Sequence, residues 1–193
     1  MSETQVKVPV EVPVKVPRAF RGADSAAPRG VLGGQYVGRV PEESVVVFLI
    51  GMRINRWRKV RSWWPAFTGM PRMLAELEKH PEAGLLGAKN YWAGRSFLSV
   101  QYWRSAEHLG RYARDPNLAH QPAWGRFHRR AAATGDVGVW HETYEVPTEH
   151  IESLYANMPP SGLGAALGTV ARAAARRTAA QDRMGQQEPA YEA

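Results

Sequence analysis

The run VVVFLIGMRIN, Val45 to Asn55, restricts the fold more than any other stretch of this chain. It is rich in β-branched residues and almost continuously apolar, so it lacks the alternation of a strand with one wet face. That pattern belongs to a strand buried on both sides. A sheet built around it needs cover on each face, and helices on one face leave the other still to be filled.

The neighbouring segments supply the rest of a sheet. Ser62 is placed to cap a helix from Trp63, in which Met70, Met73, Leu74 and Leu77 share one face. Gly69 and Pro71 predict a kink or a split in this helix. The helix ends before His80-Pro81. LLGAKNYW (Leu85 to Trp92) and SFLSVQYW (Ser96 to Trp103) flank Ala93-Gly94-Arg95, which reads as the three-residue turn of a hairpin. In its second strand Phe97, Ser99, Gln101 and Trp103 share a face, and Leu98, Val100 and Tyr102 share the other. Ser105 starts a second helix with Leu109, Tyr112 and Ala113 inward. Asp115-Pro116 breaks it, and His120, Trp124, Phe127 and His128 then fall on one face of any helix that follows. VGVWHETYEV (Val137 to Val146) is the last strand of the unit.

The order is strand, helix, strand, strand, helix, strand: an α+β, ferredoxin-like βαββαβ unit. The face without helices is most simply covered by a second copy of the sheet, which predicts a homodimer forming a dimeric α/β barrel. Residues 1–35 read as an arm. Pro9, Pro13 and Pro17 recur at a spacing of four, and the stretch to Gln35 is rich in Gly, Ala and Arg, as in a linker. Residues 36–147 form the expected domain. Residues 148–193 read as a C-terminal arm. Within it Ile151 to Met158 is a candidate fifth strand that extends the sheet or crosses to the partner, and an Ala/Arg-rich tail from Gly164 is at most a marginal helix.

Composition excludes several classes. There is no cysteine among 193 residues, which removes disulfides, Cys-ligated zinc, iron–sulfur clusters and thiol nucleophiles. The formal charge of +7 fits a basic surface and Arg-bearing tails better than a nucleic-acid partner. The central strands also lack the Lys/Arg–Gly–aromatic pattern of RNA-binding sheets. No run approaches a membrane span, and the first residues, interrupted by Lys7, Glu11 and Lys15, do not resemble a secretory signal. The reading is a cytoplasmic protein with no membrane partner.

Seven tryptophans in so short a chain point to a large aromatic core or an aromatic-lined cavity. Tyr91, Trp92, Tyr102, Trp103, Trp124 and Trp140 are expected to converge between sheet and helices, with Asn90 and Gln101 as the polar groups of a hydrophobic small-molecule site. Filling of an ordinary core by the same rings is the alternative. The acid/base candidates are His120 first, then His128, then His141, since imidazole exchanges protons near neutral pH. His141 and Glu142 point to opposite faces, so Glu142 cannot orient it. No pair of these groups has metal-ligand spacing.

The strings FLIGMRIN (Phe48 to Asn55), WWPAFTGMPRMLAELEKHPEAGLLG (Trp63 to Gly87), QYWRSAEHLGRYARDP (Gln101 to Pro116), HQPAWGRFHRR (His120 to Arg130), VGVWHETYEVP (Val137 to Pro147) and YANMPPSGLG (Tyr155 to Gly164) carry a resemblance. They resemble a bacterial and fungal monooxygenase-like family of unknown function, named after a relative in a fungal terpenoid pathway. The resemblance spans roughly Tyr36 to Gly164. That family is similar in turn to the dimeric α/β-barrel superfamily, which includes cofactor-free monooxygenases and haem enzymes of the aldoxime-dehydratase and haem-degrading types. The resemblance implies a small monooxygenase of specialised metabolism acting without a cofactor, with Asn90, Tyr91 and Trp92 matching the polar groups of cofactor-free members in type. It implies haem as the alternative, with His120 as axial ligand, because Trp103-Arg104-Ser105-Ala106-Glu107 and Leu118-Ala119-His120 resemble the segments of haem-degrading members. A non-catalytic dimeric accessory protein that binds a ligand is the competing class.

Overall fold

The computed structural model describes residues 28–118, 125 and 134–172. In chain order its elements are β1 (Leu32–Gly38), β2 (Ser44–Ile54), α1 (Val60–Leu77), β3 (Leu85–Ala93), β4 (Ser96–Trp103) and α2 (Ala106–Arg114). They continue with β5 (Val137–Pro147), β6 (Tyr155–Met158), α3 (Gly162–Leu167) and β7 (Thr169–Ala171). Strands β2 to β5 form one antiparallel sheet in the spatial order β3–β4–β2–β5. With α1 after its first strand and α2 after its third, this is the expected ferredoxin-like βαββαβ arrangement.

The apolar strand β2 lies between β4 and β5 and is paired along its whole length. Strand alternation puts Val46, Phe48, Ile50, Met52 and Ile54 on the face under the helices. Val46, Trp103, Leu77 and Tyr112 form one buried cluster there, with Phe48, Met73 and Leu109 against it. Met52, Ile54 and Val137 form a second, backed by Trp63, Phe67 and Phe97. Burying a side chain of this size contributes about 1.5–3 kcal/mol, so these two clusters hold the helices on the sheet.

Local expectations are met unevenly. Ser105 caps α2 as expected, its Oγ accepting from His108 N at 3.2 Å. Helix α1 starts earlier than expected, at Val60, and is not capped by Ser62. Lys59 precedes it without a side-chain bond, and backbone bonds from Ser62 N and Trp63 N to Lys59 O close the first turn instead. The helix also runs through Pro65 and Pro71 without splitting. The hairpin turn is two residues, Gly94-Arg95, not three, because Ala93 and Ser96 pair directly. Gly94 takes φ of +56°, open to glycine at little cost.

The flanking segments differ most from expectation. Leu32 to Gln35, read as linker, belong to β1, which pairs with β6 on one side and β7 on the other. Strand β6 therefore does not extend the four-stranded sheet; it joins a separate one of order β6–β1–β7. The expected tail helix is also replaced in part: α3 ends at Leu167, and β7 follows at once. Helix α3 packs on β3, with Ala166 against Gly87, and so covers part of the sheet face opposite α1 and α2. The remainder of that second face carries Leu49, Leu98, Val100, Trp140 and Tyr144, the last two exposed. Among the described residues no helix is long and apolar enough to cross a membrane.

Candidate functional site

Between α1, α2 and the sheet lies a cavity of about 320 Å³. Its floor is the covered face of the sheet, from which Phe48, Gln101, Trp103, His141 and Thr143 project. Its roof is the apolar stripe of α1, with Met70 and Met73, and the inner side of α2, with Leu109 and Tyr112. Strand period and helix period each place these residues inward, so the site follows from two amphipathic patterns meeting face to face.

The floor is polar in a controlled way. Gln101 Oε1 accepts from Trp103 Nε1 at 2.9 Å, and Gln101 Nε2 donates to Ser99 Oγ at 3.3 Å and to Met70 Sδ at 3.5 Å. Ser99, Gln101 and Trp103 are all buried. Burial without partners would be costly, so this string locks the amide and the indole in place. On the roof, Tyr112 Oη donates to Glu76 Oε2 at 3.1 Å. Burial, reinforced by the Glu76 charge and that bond, pushes the Tyr112 hydroxyl well above the usual phenol range. Tyr112 therefore stays protonated and serves as a donor, not a base.

His141 is the one imidazole among the described lining residues. It stands on β5 opposite Ile50, with its ring 5.7 Å from that of Phe48 at an interplanar angle of 44°. Glu142 faces away, where its Oε2 accepts from Tyr144 Oη at 2.7 Å. His141 is thus oriented by packing against an aromatic ring rather than by a carboxylate.

The other expected site residues are dispersed. Asn90 is on the covered face opposite Ser99, but on the outer strand, exposed and away from the cavity wall. Trp92 is on the same face at the far end of the sheet, packed against Trp57, Phe67 and Phe97. Tyr91 and Tyr102 are on the second face, lining a separate, open cavity of about 460 Å³ together with Tyr155. Burial first, then the nearby Tyr155 and Tyr91, raises the Tyr102 hydroxyl above the usual phenol range. Trp140 is also on the second face, lying across Gly51, where any Cβ would collide with the indole. The expected convergence of aromatics is therefore corrected. Alternation along β3, β4 and β5 sends Tyr91, Tyr102 and Trp140 away from the helices, and Trp103 alone of the described rings in that set lines the cavity. His120, Trp124 and His128 lie outside the described residues. Phe48, Met70, Met73, Tyr112 and Thr143 were not named as site residues. Thr143 had a sequence signal, since it follows His141 by two and shares its face.

Residues 45–163 match the model of the Monooxygenase af470-like family. The chain belongs to that family. Over 138 residues it is 29% identical to Monooxygenase af470 from Aspergillus fumigatus, covering 66% of this chain and 48% of that protein. It thus spans about half the length of this relative. Among solved structures, SnoaB, a cofactor-independent oxygenase from Streptomyces nogalater, is similar with a TM-score of 0.38 and 13% identity, over 52% of this chain and 91% of that one. A conserved protein of unknown function from Bacteroides thetaiotaomicron, described as a possible oxidoreductase, is similar with a TM-score of 0.38 and 14% identity, over 53% and 97%. The fold assignment rests on the strand order given above. The described cavity wall contains no Arg or Lys, so it offers no partner for haem propionates. His120, the expected axial ligand, and Arg126, Arg129 and Arg130 lie outside the described residues, so the described wall alone gives haem no support.

Proposed function

We propose that this member of the Monooxygenase af470-like family is a small, cofactor-free oxygenase of specialised metabolism. Its substrate is an electron-rich, hydrophobic small molecule held between the sheet and the helices. The observation that carries this reading is the cavity wall: among the described residues, thioether, aliphatic and aromatic groups with Gln101, Thr143 and one imidazole, that of His141. A cavity of this size and lining suits a compact apolar ligand. In the proposed step His141 takes a proton from an acidic C–H of the substrate. The carbanion passes one electron to O₂, and the radical pair combines as a peroxide. The imidazolium returns the proton, and loss of water leaves a carbonyl. One CH₂ and one O₂ become one C=O and one H₂O, so the substrate supplies every electron. Met70, Met73 and Leu74 cover the cavity on the α1 side, while His141 stands exposed at its edge on β5.

The test uses the dialysed full chain with anthrone, an electron-rich ketone with an acidic CH₂. Oxygen uptake and ¹⁸O incorporation into the carbonyl are followed together. The expected result is uptake matched to product, falling about 100-fold or more in His141→Ala at unchanged fold. His120→Ala and His128→Ala run beside it as the reserve bases. Full turnover in His141→Ala with loss in either of the others moves the base to that residue. Ligand binding without oxygen uptake supports the accessory-protein reading instead.

The homodimer belongs to the same proposal. The open part of the second face, with exposed Trp140 and Tyr144 beside Leu49 and Val100, supports sheet-on-sheet pairing of two copies. Light scattering is expected to give twice the 21.5 kDa chain mass. A stable monomer overturns the pairing.

A further inference from the structure

The end of the sheet remote from the cavity carries a surface that the oxygenase reading does not use. Here the β2–α1 loop meets the β3–β4 hairpin tip, bringing Trp57, Trp63, Trp64, Phe67, Trp92 and Phe97 into one aromatic cluster. Trp57 is 38% exposed, and Trp64 and Trp92 are each 52% exposed, with Val60 exposed beside them. The same loop holds Arg56, Arg58 and Lys59, the first turn of α1 adds Arg61, all four exposed, and Arg95 stands at the hairpin tip. Asp136 pairs with Arg56 at 2.9 Å. Arg58, Lys59 and Arg61 form no ion pair among the described residues.

Two features make this more than a solvated loop. The first turn of α1 contains no acid, and Lys59 and Arg61 sit at the positive end of its macrodipole. Cations are disfavoured there, so nothing in the fold itself calls for them. Of the four indoles, those of Trp63 and Trp92 also have their N–H groups used internally. Trp92 Nε1 donates to Gly94 O at 2.7 Å, and Trp63 Nε1 donates to Trp57 O at 2.9 Å. The half-exposed Trp92 ring therefore turns hydrocarbon, not its N–H, to solvent.

We propose that this aromatic and basic end docks peripherally on an anionic lipid surface, the indoles entering the headgroup region and the Arg58, Lys59 and Arg61 side chains meeting lipid phosphates. This departs from the expectation of no membrane partner, and it requires no spanning segment. Indoles favour the membrane interface, and each basic group near an anionic leaflet adds to attachment. Nucleic acid is the other polyanion to weigh. Base stacking needs free ring faces, and Trp57 and Trp92 stack on each other, with centroids 6.4 Å apart and planes at 23°. One face of each of these two rings is therefore taken, which makes them poorer stacking platforms for bases.

The experiment is flotation of the full chain with two kinds of vesicle, pure phosphatidylcholine and phosphatidylcholine with about 30% phosphatidylglycerol. Binding is expected only to the anionic vesicles, with a blue shift of tryptophan emission, and it should weaken at least tenfold when salt is raised enough to screen the surface. Arg58→Glu with Arg61→Glu is expected to lose about tenfold or more in affinity. Trp64→Ser, at a site exposed enough to leave folding intact, is expected to lose several-fold with an unchanged circular dichroism spectrum. Equal binding to both vesicles, no binding to either, or undiminished binding by the charge-reversed variant overturns the proposal. So does tighter binding of a single-stranded oligonucleotide than of anionic vesicles at the same salt.

Discussion

Trp103 and Trp92 project from the same face of the same sheet and end in opposite environments. Trp103 is 1% exposed under α1 and α2, beside Tyr112, and its N–H is satisfied by the side chain of Gln101. Trp92 is half exposed at the hairpin end, and its N–H is satisfied by the backbone of its own turn. The difference lies in the cover. Two helices, with flexible methionines, roof the Trp103 end and leave a ligand-sized space. At the Trp92 end rings meet rings and then solvent. Tryptophan count therefore says little about a site; what each indole N–H bonds to says more.

Removing Trp103 is the strongest way to sharpen this contrast. Trp103→Ala is expected to destabilise the chain by about 3–5 kcal/mol, as for a large ring cut from a closed core. Urea unfolding measures it, and a loss below that of Trp92→Ala would break the comparison. Gln101→Met comes next. It keeps the volume but strands the Trp103 N–H in an apolar site, at an expected cost of about 1–3 kcal/mol. Equal stability of Gln101→Met and the parent would show that the Gln101–Trp103 bond contributes nothing net. Trp92→Ala is expected to cost about 1 kcal/mol or less, in keeping with its half-exposed ring.

The smallest effect concerns Asp136, at the Trp92 end. Burial pushes its carboxyl up, but the hydrogen bond from Arg56 and those from its neighbours outweigh this and hold it below the usual aspartate range. A lowered folded value means that the stabilisation is present above the unfolded value and is lost as pH falls through the folded one. Asp136→Asn is therefore expected to flatten the acid limb of the stability curve, read as a smaller drop in urea midpoint between neutral and acid pH. An unchanged acid limb would remove the Arg56–Asp136 pair from the account.

The parts legible in the sequence were those written in local periodicity. The Val45–Ile50 run, the hairpin, the inner stripe of α1 and the Ser105 cap each lie within a short window, and together they carry the βαββαβ order. The site was half legible for the same reason. Alternation along β4 put Gln101 and Trp103 on one face. Alternation along β5 separates Trp140 from His141, and counting aromatics had obscured it. The three-stranded sheet was not legible. LGGQYVG in β1 has three glycines, and its apolar residues do not alternate, so nothing local marks it as a strand. It is made by partners far away in the chain: Gly38 N donates to Ser153 Oγ at 2.8 Å, and Gly34 N donates to Asn157 Oδ1 at 3.0 Å.

That remoteness governs the order of events on the ribosome. Strand β1 leaves the exit tunnel before the four-stranded sheet has begun to form, yet both its neighbours are encoded after that sheet is complete. Until Ala171 has emerged, β1 has no mate on the β7 side, and Arg172 N, which bonds Gln35 O across 137 residues, is last to arrive. Closing so long a loop is slow, and a waiting strand with two open edges invites wrong partners. Its three glycines among seven residues make the waiting strand a poor template for them. The weakness that hides β1 from a sequence reader thus suits a segment that must stay unattached through most of synthesis.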